Sequence, residues 1–305
     1  MVEGILPIWK EKGMTSFACV SRVRHLLGIK KVGHAGTLDP EVEGVLPIAV
    51  GAGTKVLEYM LEADKTYTGE ITLGYSTSTE DATGTTIEKL PVSKDIQNED
   101  IDQVLAEFIG SIEQVPPMFS AVKVKGKKLY EYAFEGIEIE RSARQVQIYV
   151  LKRTSDIAYN EDQETLSFSF EVSCSKGTYI RTLAVDIGKK LGYPAHMSKL
   201  ARIRSGNISA DQTYTLVEVE AAVINEKINT LFLPIDYGLT QFNKTTIDDK
   251  LWSRVKNGAL LNEEEIIAEE YPVLLVYNQV IVALYDKHPK KAGKLKPSKM
   301  FKIEM

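Results

Sequence analysis

Gly33–Lys55 reads GHAGTLDPEVEGVLPIAVGAGTK. Five glycines, two prolines and a single Asp set between a leucine and a proline describe a shaped loop rather than the interior of a helix or strand. Gly33 and Gly36 allow backbone to approach a ligand closely, and Pro40 biases Asp39 toward extended geometry. The apolar run Val45, Leu46, Pro47, Ile48, Ala49, Val50 is expected to anchor this loop in a core, which puts Asp39 on a rigid mount. Read alone, the loop is more simply an Asp-Pro turn start.

Working outward, Thr15-Ser16 offers an N-cap to a helix with Phe17, Val20, Val23 and Leu27 near helical spacing, ended by Gly28. Beyond the loop, Tyr67, Gly69, Ile71, Leu73 and Tyr75 alternate with polar residues and predict a strand covered on one face. Asn98 is expected to cap a helix with an Ile101, Val104, Leu105, Phe108 stripe stopped by Gly110. Pro116-Pro117 and the lysines up to Tyr130 predict a rigid loop and a hairpin; Val146–Val150 and Leu166–Val172 read as strands. Thr178–Leu191 places Ile180, Leu183, Ala184, Ile187 and Leu191 on one helical face, with Tyr179 and Arg181 at its N-terminal edge. Thr215 and Glu218 form a capping box. From about Lys244 the character changes: Val273–Tyr277 and Val280–Tyr285 are β-rich runs around an Asn278-Gln279 turn, flanked by a helical Asp248–Lys256 segment and a final Met300–Glu304 segment.

At 305 residues, 44% hydrophobic and 26% charged, the chain suits one large and one small globular domain. No stretch reaches the ~18 consecutive apolar residues of a membrane span, and MVEGILPIWKEKG lacks the apolar segment and cleavage site of a leader, so a cytoplasmic protein without a membrane partner is expected. Cys19 and Cys174 fit no metal spacing and are expected to be buried small hydrophobes. His25, His34, His196 and His288 are scattered and give no helical metal pair, and Gly51–Lys55 lacks P-loop spacing. The net charge of −5 weighs against nucleic acid, but the charge is segregated. Arg22, Arg24, Lys30 and Lys31 flank the loop, Lys123, Lys125, Lys127 and Lys128 cluster, and Lys287–Lys302 holds seven lysines and no acid. An acidic protein patterned in this way can present a basic face.

GHAGTLDP followed by EGVLPIAVGAGTK resembles the motif of the bacterial tRNA pseudouridine-55 synthases, the TruB family. Asp64–Tyr67 (DKTY), Pro116–Lys123 (PPMFSAVK), Lys176–Leu183 (KGTYIRTL) and Arg202–Gly206 (RIRSG) resemble further blocks of that family, in its order. Two departures stand out: Glu11 replaces a proline in the Lys10–Ser16 block, and Phe134 replaces a common basic residue. The first predicts a looser turn and the second the loss of an RNA contact.

The resemblance implies an α/β fold of the α+β type, a pseudouridine synthase domain over residues 1–240 with a mixed, largely antiparallel sheet, and a PUA-like β-barrel RNA-binding domain over residues 245–305. It also implies a monomeric isomerase that acts on uridine 55 in the T loop of tRNA, needing no cofactor, metal or obligate protein partner. Asp39 takes the place of the nucleophile, attacking either the sugar C1′ or C6 of the base. Arg181 is its charge partner, Tyr67 stacks near C5 and is a candidate participant in its deprotonation, and Tyr179 and Leu200 line the pocket of a flipped base. His34 is assigned to holding the opened RNA loop, and Lys10 and Lys123 to RNA binding. A non-catalytic RNA-binding protein on the same scaffold, or the same chemistry on another uridine, remains open at the level of sequence.

Overall fold

The computed structural model describes residues 3–302. Ten strands form one mixed sheet whose main path runs Gly4–Lys10, Glu43–Val50, Ala195–Ser205, Lys65–Leu73, Thr165–Cys174, Arg144–Arg153, Gly110–Gln114. Neighbours are antiparallel with one exception: Ala195–Ser205 runs parallel to Glu43–Val50, Ala201 opposite Glu43 and Arg202 opposite Gly44. The backbones approach so closely there that a Cβ on Gly44, which holds φ +125°, would meet the Arg202 carbonyl oxygen at 2.2 Å. Only glycine fits.

Helices Ser16–Leu27, Asn98–Glu107 and Ile180–Leu191 lay apolar residues into the core, among them Val20, Val23, Ile101, Leu105, Leu183 and Ile187. The first has the expected ends: Thr15 Oγ1 accepts from the Ala18 N–H at 3.0 Å, and Gly28 closes it at φ +65°. Cys19 and Cys174 are free and buried.

Two expectations need correction. Glu43–Val50 is a full strand rather than a continuation of the loop. Its Pro47 lies opposite Pro7, and the carbonyls of both point away from each other, to the N–H groups of Ala35 and Tyr214. Two residues without N–H donors thus share a position where the antiparallel ladder asks for none. The second helix is capped by Gln97, one residue before Asn98, through a reciprocal box with Asp100.

The C-terminal part is a five-stranded sheet ordered Lys244–Thr246, Val273–Tyr277, Val280–Lys287, Lys294–Met300, Leu261–Asn262. Among the described residues its end strands are not paired with each other, and it forms a curled half-barrel, as expected of a PUA-like domain. Asn278 and Gln279 both take positive φ in the hairpin turn, and the helix Asp249–Val255 buries Trp252 and Val255 beside it. Of the expected last segment, Ile303 and Glu304 lie outside the described residues. Leu274, Ile281, Leu284 and Phe301 of this sheet share one apolar cluster with Ile5, Val45, Val56, Met60 and Leu239 of the large unit. Lys55 ties the two together by donating to the carbonyls of Met300 and Phe301 at 2.8 and 3.2 Å.

Candidate active site

Asp39 opens a tight turn, its carbonyl accepting from the Val42 N–H at 3.1 Å, with Pro40 at the second position. The residue before it is gripped on both sides. Buried Ser16 accepts from the Leu38 N–H at 2.9 Å and donates to the Leu38 carbonyl at 3.1 Å. Asp39 lines a cleft of about 620 Å³. There Arg181 Nη2 stands 3.1 Å from Oδ2, with the guanidinium side chain 8% exposed and the carboxylate side chain 43%. Arg181 also donates to the Thr79 carbonyl at 3.0 Å and the Phe119 carbonyl at 2.8 Å, so backbone fixes it independently of Asp39.

Tyr67 lies on the strand after the loop, directly across from Arg202 on the neighbouring strand. Burial pushes its phenol above the ordinary tyrosine range, opposed in part by the Arg202 charge. Tyr179 is the N-cap of the Ile180–Leu191 helix, but its side chain makes no cap hydrogen bond. Buried Gln114 holds its backbone instead, the side-chain oxygen accepting from the Tyr179 N–H at 3.0 Å and the amide donating to the Tyr179 carbonyl at 3.2 Å. Leu200 and His34 complete the lining. His34 Nδ1 is buried without a hydrogen-bond partner, and burial first, then the Arg202 charge, lowers its pKa.

Six of the eight residues expected from sequence therefore converge: Asp39, Tyr67, Arg181, His34, Tyr179 and Leu200. Lys10 and Lys123 do not line the cleft. Lys10 is fully buried and its ammonium donates to the carbonyls of Glu11 and Pro40, which makes it a strut beneath the Asp39 turn and not an RNA contact. Lys123 is exposed on the outer strand of a short hairpin, opposite Lys128, which does line the cleft.

Among the lining residues not expected as site residues are Lys65, Ser120 and Arg202, beside Phe119, Lys128 and Tyr130. Lys65 and Arg202 were within reach of a period-two argument, since each lies two residues from an expected site residue, Tyr67 and Leu200, on the same strand. Arg202 is 1% exposed and donates to the carbonyls of Val45 and Gly36, bracing the loop from beneath. Lys65 is lowered to about 8, by burial and then by the Arg202 charge. Ser120 lies in the Pro116–Lys123 block, PPMFSAVK, whose resemblance to the family marked the segment without singling out this residue.

Comparison with known proteins follows the same lines. Residues 24–180 match the model of the TruB family pseudouridylate synthase N-terminal domain, and residues 181–240 that of the tRNA pseudouridylate synthase B C-terminal domain. The second model thus takes in the Ala195–Ser205 strand at the centre of the large sheet. The chain is 50% identical over 304 residues to the tRNA pseudouridine synthase B of Bacillus subtilis, covering 98% of both chains. It is 51% identical over 306 residues to that of Geobacillus thermodenitrificans, covering 99% of this chain and all of the relative. Among solved structures, a chain of a Cbf5-Nop10-Gar1 complex superposes with a TM-score of 0.75 at 26% identity, over 98% of this chain and 85% of that one. An archaeal box H/ACA sRNP Nop10-Cbf5 complex gives 0.71 at 25%, over 98% and 86%. The architecture is a pseudouridine synthase fold with a PUA-like C-terminal sheet. Matched from residue 24 to 240 and at half identity along nearly its whole length, the chain belongs to the TruB family of pseudouridylate synthases.

Proposed function

We propose that this chain converts uridine 55 in the T loop of tRNA to pseudouridine, with Asp39 as nucleophile on a flipped-out uridine. The observation that carries the reading is the pairing of Asp39 with a backbone-anchored Arg181 inside a cleft edged by Tyr67, Tyr179 and Leu200. The reaction breaks the C1′–N1 bond, forms C1′–C5, removes one proton from C5 and protonates N1. Electrons balance without an oxidant or reductant, so the residues asked for are a nucleophile, a charge partner and surfaces that hold a base.

Asp39 adds to the substrate, at C1′ or at C6, and loses its charge in doing so. Arg181 keeps its place through Thr79 and Phe119, and is therefore still aligned when the carboxylate is released again. Tyr67 packs on the base near C5. Burial raises its pKa, which favours the neutral phenol that stacks on the base and stands beside the C5 proton to be removed. His34, which lines the cleft, is assigned to holding the opened RNA loop. Residues 1–240 are assigned catalysis. Residues 245–305, with their lysines, are assigned RNA binding outside the T loop, in a monomer that needs no protein partner.

The experiment is tritium release from 5-tritiated uridine in an unmodified tRNA transcript, comparing the intact chain with Asp39→Asn and mapping the product. Release by the intact chain alone, at position 55, is expected. Release with equal rate by Asp39→Asn would remove Asp39 from the chemistry; tight binding with no release by either would leave an RNA-binding protein.

A further inference from the structure

Phe134 ends the short helix Leu129–Phe134 and is 77% exposed, an unusual setting for a phenyl ring. It is not alone. Its ring meets Phe119 edge-to-face at 5.8 Å between centroids and Tyr130 at 6.2 Å, and both of those residues line the active-site cleft. Lysines fringe the cluster on one side, Lys127 among them ion-paired with Glu135. Lys128 lies over the Tyr130 ring at 5.2 Å and Lys127 over the Tyr132 ring at 4.8 Å, while the hairpin turn projects Lys125 at φ +52°. An aromatic surface continuous with a substrate cleft and fringed by lysines has the composition of a single-stranded nucleic-acid platform: rings for base faces, ammonium groups for phosphates.

We propose that Phe134, backed by Phe119 and Tyr130, stacks on an unpaired base next to the target uridine, so that stacking does here what a basic side chain would do through a phosphate. The inference rests on the proposed action on RNA. A phosphate contact contributes affinity that falls as salt rises, whereas a stacked base contributes affinity that hardly depends on salt. The two modes are therefore separable by titration.

The test measures the Kd for a T-arm stem-loop RNA at several salt concentrations with the intact chain, Phe134→Ala, Phe134→Trp and Phe134→Arg. Phe134→Ala is expected to weaken binding about ten-fold with an unchanged salt slope, and Phe134→Trp to retain affinity. Phe134→Arg is expected to steepen the slope of log K against log salt by about 0.7, the value of one added contact to single-stranded phosphate. With 2-aminopurine placed in turn at each unpaired loop position, one position should be quenched by the intact chain and not by Phe134→Ala. Phe134→Ala binding within two-fold of the intact chain at every salt concentration would overturn the proposal. So would unchanged RNA binding accompanied by altered self-association in sedimentation, which would make this surface a protein contact. If the intact chain itself neither bound nor modified the RNA, the functional reading would fail before this one was reached.

Discussion

Asp39 illustrates how a turn residue and a reactive residue can be the same residue. Its carbonyl closes the turn to Val42 while its carboxylate meets Arg181, so the two readings that compete in sequence are both true of one amino acid. Arg181 is the stiffer partner, because its fork spans two carbonyls and a carboxylate. Arg181→Lys keeps the charge but cannot make that fork, and is expected to lower the turnover rate by at least ten-fold with little change in RNA affinity. Equal losses in both would make Arg181 a binding residue. Lys65 supplies a pH signature. Its folded pKa of about 8 lies below the ordinary lysine value of 10.5, so the unfolded chain binds the extra proton and stability rises as pH climbs between these values. Urea unfolding at pH 7.5 and 9.5 should show the wild type gaining about 2 kcal/mol relative to Lys65→Met. A constant difference would mean that Lys65 is not protonated differently in the two states. At this scale the residues named from the family blocks were legible. Lys65 and Arg202 were passed over because a buried cation contradicts ordinary expectation until the carbonyls that receive it are seen.

Two elements are set by one device: a buried polar side chain that binds both the N–H and the C=O of a single residue. Ser16, on the first helix, does so for Leu38 in the Asp39 loop, and Gln114, at the end of an edge strand, does so for Tyr179 at a helix start. The second case bears on catalysis without touching substrate. Gln114→Ala frees the Tyr179 backbone and is expected to lower kcat/KM on the order of ten-fold, while Gln114→Glu, which retains the acceptor, loses less. Identical losses in the two variants would reduce Gln114 to a packing residue. Helix ends such as Thr15, Gly28 and the Thr215–Glu218 box were legible because capping is local chemistry. The Glu43–Val50 strand was not: Gly44 and Pro47 read as loop residues until Arg202 and Pro7 lie against them, and both partners are distant in sequence.

Across the whole molecule, the small sheet covers an apolar cluster of the large unit as well as being a candidate RNA surface. Deleting it would strip apolar cover from Ile5, Val45 and Met60, so truncation would confuse loss of binding with loss of fold. Charge reversal is the cleaner measurement. Lys290→Glu with Lys291→Glu, both exposed, should raise the Kd for tRNA three- to ten-fold and flatten its salt dependence, with the rate on bound RNA unchanged. An unaltered Kd would place the RNA elsewhere. Composition and the hairpin turn foretold this sheet, but its docking through Lys55 was hidden, because a lysine that ends a loop motif gives no sign that its acceptors lie at the far end of the chain. The parallel pairing of Glu43-Gly44 with Ala201-Arg202 carries a consequence for synthesis. While the ribosome is still making the chain, the nucleophile's loop has been translated long before the strand that braces it. A nascent protein therefore holds the Asp39 turn from Ser16 and Lys10 alone, and the Arg181 partner and the Arg202 brace arrive only after most of the polypeptide is in place.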